Sequence, residues 1–300
     1  MEPIFGQIAA IFTALCWSLT SASFAISGSI IGSVNVNRLR LLFAAMFLAI
    51  AHYILFGSLL PLNAGLYQWF WLGLSGIVGF AIGDAMLFEA FVIVGARISM
   101  LLMSLVPIMS ALFAWIALGE VLNWLEISAI CVTVGGIAWV VVDKNRDENW
   151  VKGKRLRTGI IMGIGGALGQ TFGLILSKKG LEGGFPTLSG NFIRILCALT
   201  VIWFLTLIRG RFRSTLNSLK SRKASYALLA GSFFGPFLGV WLSLIAIKYA
   251  RIGIAATLMS TTPIILIPIS YWLFKEKITY QTVIGTFIAV TGVAILILYG

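Results

Sequence analysis

Apolar runs about 20 residues long, enough for an α-helix to cross a ~30 Å hydrocarbon core, follow one another along the whole chain. Ten are read, near residues 4–26, 36–56, 67–93, 97–118, 124–142, 158–177, 188–208, 226–247, 252–274 and 279–299. Asn123 and Thr279 stand where the fifth and tenth runs need an N-cap, a side-chain oxygen that accepts a free backbone N–H. Pro61 and Pro186 mark turns. Open β-structure is not an alternative, because unpaired backbone groups cannot face lipid. The pattern predicts an all-α integral membrane protein with ten transmembrane helices and no appended soluble domain.

The longest polar stretches, 143–157 and 209–223, are a mid-chain linker and an amphipathic or irregular loop. Composition agrees with the span pattern. Charged residues make up 11% of the chain and hydrophobic ones 59%, whereas a soluble domain carries about 25% charged residues. Lipid must replace the missing polar surface. The net charge of +12 is not a nucleic-acid signature, because the basic residues sit in short connections between apolar runs. Of the 22 Lys and Arg residues, 17 lie in loops after odd-numbered spans and four in loops after even-numbered ones, with Arg194 inside span seven. Positive charge is retained at the cytoplasmic face, so both termini are expected outside the cytoplasm. The first span lacks a basic leader and a cleavage site and reads as a retained helix. Cys16, Cys131 and Cys197 all lie in apolar runs as packing residues, and one histidine, His52, is too few for a histidine zinc site. No metal or cofactor is expected.

The chain repeats itself. LMSLVPI at residues 102–108 returns as LMSTTPI at 258–264, a displacement of 156 residues that also relates Gly79 to Gly235, Gly83 to Gly239, Ala90 to Ala246, Glu120 to Glu276 and Gly136 to Gly292. A displacement of 154 carries Asn37, Arg40, Leu42 and Ala44 onto Asn191, Arg194, Leu196 and Ala198. Spans two to five thus correspond to seven to ten. An odd shift of five spans gives the copies opposite membrane orientations. The chain divides into a first five-helix repeat (1–143), a basic cytoplasmic linker (144–157) and a second repeat (158–300). Inverted repeats of this kind are typical of secondary transporters, whose site lies near the midplane between repeats. The paired glycines, among them Gly83 and Gly239, either let helix backbones pack closely or give smooth faces for gating. Pro107, Pro236 and Pro263 fall mid-span, where a missing N–H permits a kink.

An ordered set of residues resembles the drug/metabolite transporter superfamily, and within it the ten-span EamA type. It runs through Trp17-Ser18, Arg40 with Ala44, Gly83, Ala90, Ser99, Pro107, Gly119-Glu120, Arg194, Ala246, Pro263 and Glu276. The resemblance covers nearly the whole chain. It implies inverted five-helix units around a central cavity open to one side at a time. Members export amino acids, other metabolites or drugs, and related branches carry nucleotide sugars. Two departures stand out: Gln170 replaces a usual aromatic or alanine, and the loop at 57–66 holds no charge.

Asp84 and Glu89 lie late in span three, where a carboxylate is expensive and normally faces the protein interior or a water-filled cavity. Five residues turn a helix by about 500°, so the two cannot form an acid pair. Asp84 has two readings: binding a cationic group or a coupling proton, or a structural ion pair with Arg40. Glu89 reaches a coupling role or simply the interface. Arg40 and Arg194 either tie helix ends or bind a substrate carboxylate. Glu120 and Glu276 are expected to organise their tight turns. Trp17, Gln170, Asn191, Trp241, Ser104 and Ser260 are the polar or amphipathic side chains available to line a substrate cavity.

Enzyme signatures do not hold together. Gly73-Leu74-Ser75-Gly76 matches an intramembrane serine-protease motif with His52 as a distant base, but the rest of that pattern is missing. There is no phosphate-binding P-loop. The expectation is a non-enzymatic exporter of a small metabolite, an amino acid, related solute or drug, in a prokaryotic plasma membrane. Its partners are the solute, the bilayer and a possible coupling proton. The rivals are a lipid or lipid-linked-sugar flippase and a membrane-embedded enzyme.

Overall fold

The computed structural model describes residues 2–143, 154–262, 264–265, 267–268, 271 and 279–299. Pro263 and Glu276 lie outside the described residues. The described residues form helices and no strand. Among the described residues, seven helices are long and apolar enough to cross a membrane, and Val106–Leu118 and Trp124–Trp139 are shorter apolar helices. Large side chains such as Ile54, Phe70, Phe204, Phe287 and Leu298 are exposed on the outer surface. In water such a surface would drive aggregation. In lipid it costs nothing.

Helix α1 (Glu2–Ile31) runs almost directly into α2 (Ser33–Phe56). The polar connection expected at 27–35 is therefore helical except for Gly32, whose φ of 79° and ψ of 147° suit glycine alone. Next come α3 (Leu66–Gly76), a π-helical turn (Ile77–Gly83) and α4 (Asp84–Met103). Helical backbone covers the connection expected between spans three and four. The path nevertheless doubles back, because Val94 lies against Gly159 and Leu102 against Gly163. A straight helix would carry Leu102 about 12 Å further along. α4 ends at Met103, and a turn at Ser104–Leu105 leads into α5 (Val106–Leu118), followed by α6 (Trp124–Asp143).

The second half comprises α7 (Lys154–Gly180), α8 (Thr187–Ile208), the short α9 (Phe212–Asn217), α10 (Arg222–Ser232), a second π turn (Phe233–Gly239), α11 (Val240–Tyr249), α12 (Ile252–Met259) and α13 (Tyr280–Tyr299). The stretch expected as a loop at 209–223 thus carries a helix, docked where Arg38 donates to the Thr215 hydroxyl at 3.0 Å. The repeat is visible residue for residue. Moving 156 positions takes α3 onto α10, one π turn onto the other, and α6 onto α13.

Helix contacts rely on missing side chains. Along α7, Gly169 faces Gly83 and Gly173 faces Gly79, so backbone lies on backbone at the first π turn. Gly136 of α6 meets Ala289 and Gly285 of α13, while Gly292 of α13 meets Thr133 and Ala129 of α6. Only antiparallel helices can make both sets of contacts. Close approach maximises dispersion where no hydrophobic force drives helices together. The expected caps are present: Asn123 Oδ1 accepts from Glu126 N at 2.8 Å, and Thr279 Oγ1 accepts from Thr282 N at 3.1 Å.

Candidate functional site

Buried charge collects where α2 and α8 pass the π turns. Asp84 follows the first π turn directly and takes an ion pair from Arg40 on α2. Arg40 is 8% exposed, and its Nε donates to Asn37 Oδ1 at 2.9 Å. Its guanidinium also lies 5.4 Å from the centre of the Phe88 ring. Asp84 is thus paired with Arg40 in the structure.

Asn191 and Arg194 hold the corresponding places on α8. The Asn191 amide donates to the carbonyls of Pro236 and Phe237 at 3.0 and 3.2 Å. A π turn shifts the backbone bonding pattern, and Pro236 has no N–H to give. Thr20 on α1 offers its hydroxyl to Gly231 O at 3.4 Å, the carbonyl five residues before that proline. Arg194 is 3% exposed, with its guanidinium 4.5 Å from the centre of the Phe80 ring.

The other expected residues divide in two groups. Trp17 reaches this region: a Cβ on Gly239 would stand 2.9 Å from its Cδ1 and Nε1. Trp241 donates its indole N–H to Thr187 Oγ1 at 3.1 Å, and Gln170 is half-buried beside Gly169. Ser104 is buried at the α4–α5 break, and the Ser260 hydroxyl bonds back to Thr257 O at 2.8 Å. Glu89 is exposed and takes no part in the Arg40–Asp84 pair. Pro107 corrects an expectation. It occupies the first turn of α5, where no helical N–H partner is lost, and so does not kink a span. Pro236 does sit inside a span, within the π turn.

His52 and Ser75 are separately engaged. His52 bonds Ser58 O and Ser189 Oγ, while Ser75 Oγ bonds Gly173 O and Ser177 Oγ, so no nucleophile–base contact forms between them.

A second polar cluster joins the two halves at one end of the molecule. Glu120 accepts from Lys178 Nζ at 2.5 Å and from Ile252 N at 2.7 Å. Arg251 pairs with Glu126 and donates to Val121 O at 2.8 Å. Glu120 thus grips the opposite half rather than its own turn. That turn is held by Asn123 and Glu126 as a capping box. These partners lie over 50 residues apart in sequence, beyond any local pattern. Glu126 is 1% exposed and has two duties, as counter-ion and cap. Glu126→Ala should cost about 3 kcal/mol, read as a lower melting temperature of the purified protein in detergent.

An all-helical, multi-pass chain with paired elements and polar groups buried at membrane depth has the build of a membrane transporter. The sequence profile of the EamA-like transporter family matches residues 4–142 and again 157–298, and the chain belongs to that family. The uncharacterized transporter YetK of Bacillus subtilis (strain 168) is 36% identical over 80 residues, 27% of this chain. The match spans about a quarter of that relative's length, 24%. A crystal structure of a protein 14% identical superposes with a TM-score of 0.78 over 97% of this chain and 95% of the other. That likeness concerns the fold.

Proposed function

We propose that the protein is a secondary transporter that exports a small metabolite by alternating access, with ten spans arranged as two inverted five-helix repeats. The observation that carries this reading is the buried Arg40–Asp84 pair with Arg194 beside two π turns that are 156 residues apart. Charge inside a membrane protein normally marks a solute or ion path. Discontinuous helices at matched positions of two halves are a pointer to the binding site. The antiparallel α6–α13 contact supports inversion, since its two helices are equivalent members of the repeats.

Charge in the connections supports a plasma-membrane orientation with both termini outside the cytoplasm. In that orientation the Glu120–Lys178 and Glu126–Arg251 pairs close the outer end. Release outward requires them to part. Trp17, Gln170 and Trp241 supply cavity wall, and Asp84 is the group through which a proton would couple.

The test compares metabolites inside and outside cells that overproduce the protein with those of cells making Asp84→Asn at equal membrane abundance. One solute class should accumulate outside only with the intact protein. Export by both proteins would leave the transporter and remove Asp84 from its cycle. Export by neither would sink the metabolite reading.

A further inference from the structure

Arg40 and Arg194 hold equivalent places in the two repeats, 154 residues apart, each three residues after an asparagine. Their surroundings are not equivalent. Arg40 is satisfied: Asp84 balances its charge and Asn37 accepts from its Nε. The position 156 residues after Asp84 is Val240, which cannot balance anything. Nε and Nη1 of Arg194 are enclosed and have no acceptor among the described residues. Asn191, the counterpart of Asn37, directs its amide to the π-turn carbonyls, and its own Oδ1 has no partner among the described residues.

An unpaired cation at such depth is strongly destabilising, and buried polar groups are otherwise almost always bonded. Phe80 covers the guanidinium, while Nη2 points to the crossing of α7 with the first π turn. A Cβ at Gly79 or at Gly173 would stand 3.6 Å from Nη2, and neither residue has one.

Charge selects the occupant. Two arginines against the single Asp84 carboxylate leave one positive charge in this cluster. A monoanion neutralises it. A phosphate monoester, at about −1.5 to −2, would put surplus negative charge beside Asp84. A carboxylate also suits the guanidinium fork, which can give it two N–H bonds.

We propose that Arg194 anchors the transported solute, and that the solute carries a single carboxylate. The proposal rests on the transporter reading above and names its substrate class.

The test uses the purified full-length protein in detergent. Thermal unfolding is followed with a panel of straight-chain monocarboxylates, each beside its amide, and with inorganic phosphate. At least one carboxylate should stabilise the intact protein where its amide does not. Arg194→Gln, without ligand, should melt at or above the parent temperature, because it removes an unpaired charge. It should bind the same carboxylate at least ~30-fold more weakly. Arg194→Lys keeps the charge without the fork and should fall between.

A lower melting temperature for unliganded Arg194→Gln would make Arg194 a structural residue and overturn the proposal. So would equal stabilisation by acid and amide, stabilisation by phosphate alone, or none by any carboxylate. Cells that export a solute lacking a carboxylate would keep the transporter and refute the anchor. Carboxylate binding that needs Arg194, without export, would keep the anchor and refute the transporter.

Discussion

Leucine at Gly136 should leave no folded protein to purify, whereas leucine at the adjacent Gly135 should melt like the parent. The two residues share one helix and one apolar run. A Cβ at Gly136 would stand 2.5 Å from Ala289 N and 2.8 Å from Gly285 O. Those are backbone atoms, so no side chain can swing aside. α6 and α13 would have to separate and forfeit the contacts that Gly292 makes with Ala129 and Thr133. Overpacking that side chains can absorb costs about 1–3 kcal/mol, and here the whole helix pair must move. Gly135 faces open space, with nothing within 4 Å of its Cβ position. Size-exclusion profiles of the two variants in detergent, followed by melting curves, make the comparison. A monodisperse Gly136→Leu protein would mean that α6 and α13 do not touch as described.

Asp84→Asn should be the most damaging single change at the site. It keeps the shape of the side chain but leaves Arg40 buried without a counter-ion. Breaking one partner of a buried pair costs roughly 3–5 kcal/mol. The Asp84 side chain keeps 18% exposure, which favours the low end. A loss of about 3 kcal/mol corresponds to a fall of roughly 6–12 °C in melting temperature. The double variant Arg40→Gln with Asp84→Asn removes both charges and should recover most of that stability. Export should stay low in the double variant if Asp84 takes part in the cycle. Normal export by the double variant would reduce the pair to a fastener between α2 and α4.

These expectations draw unequally on sequence. Lipid as the solvent was legible from 20-residue apolar runs and the shortage of charge. The two-fold repetition was legible because the displacement of 156 preserves glycines and prolines, whose backbone roles tolerate little drift. The π turns were not. Gly79, Gly83, Gly235 and Gly239 were visible as a spaced pair in each half. Hydropathy, however, does not register whether a carbonyl is met four residues on or five. The extension of α1 to Ile31 was missed for a related reason: serines and glycines at 27–33 resemble a loop, yet Gly32 alone makes the turn.

The candidate site shows the same division. The sequence supplied Asp84, Arg40 and Arg194 as charges at membrane depth, and it supplied Asn37 and Asn191 as their matched neighbours. It left Asp84 between a solute role and an ion pair, because a partner 44 residues away depends on how α2 crosses α4. It placed Glu120 at its own turn, while packing delivered it to Lys178 and Ile252.

By itself, then, the sequence determined the medium, the helical class and the repetition. All three follow from properties that accumulate along the chain: apolar length, charge density and residue spacing. Only the tertiary structure decided which buried charges are satisfied. Pairing depends on helix crossings set by a few glycines, where a single added Cβ would change the distance between two backbones. Those crossings give Arg40 its carboxylate and leave Arg194 without an ion-pair partner among the described residues.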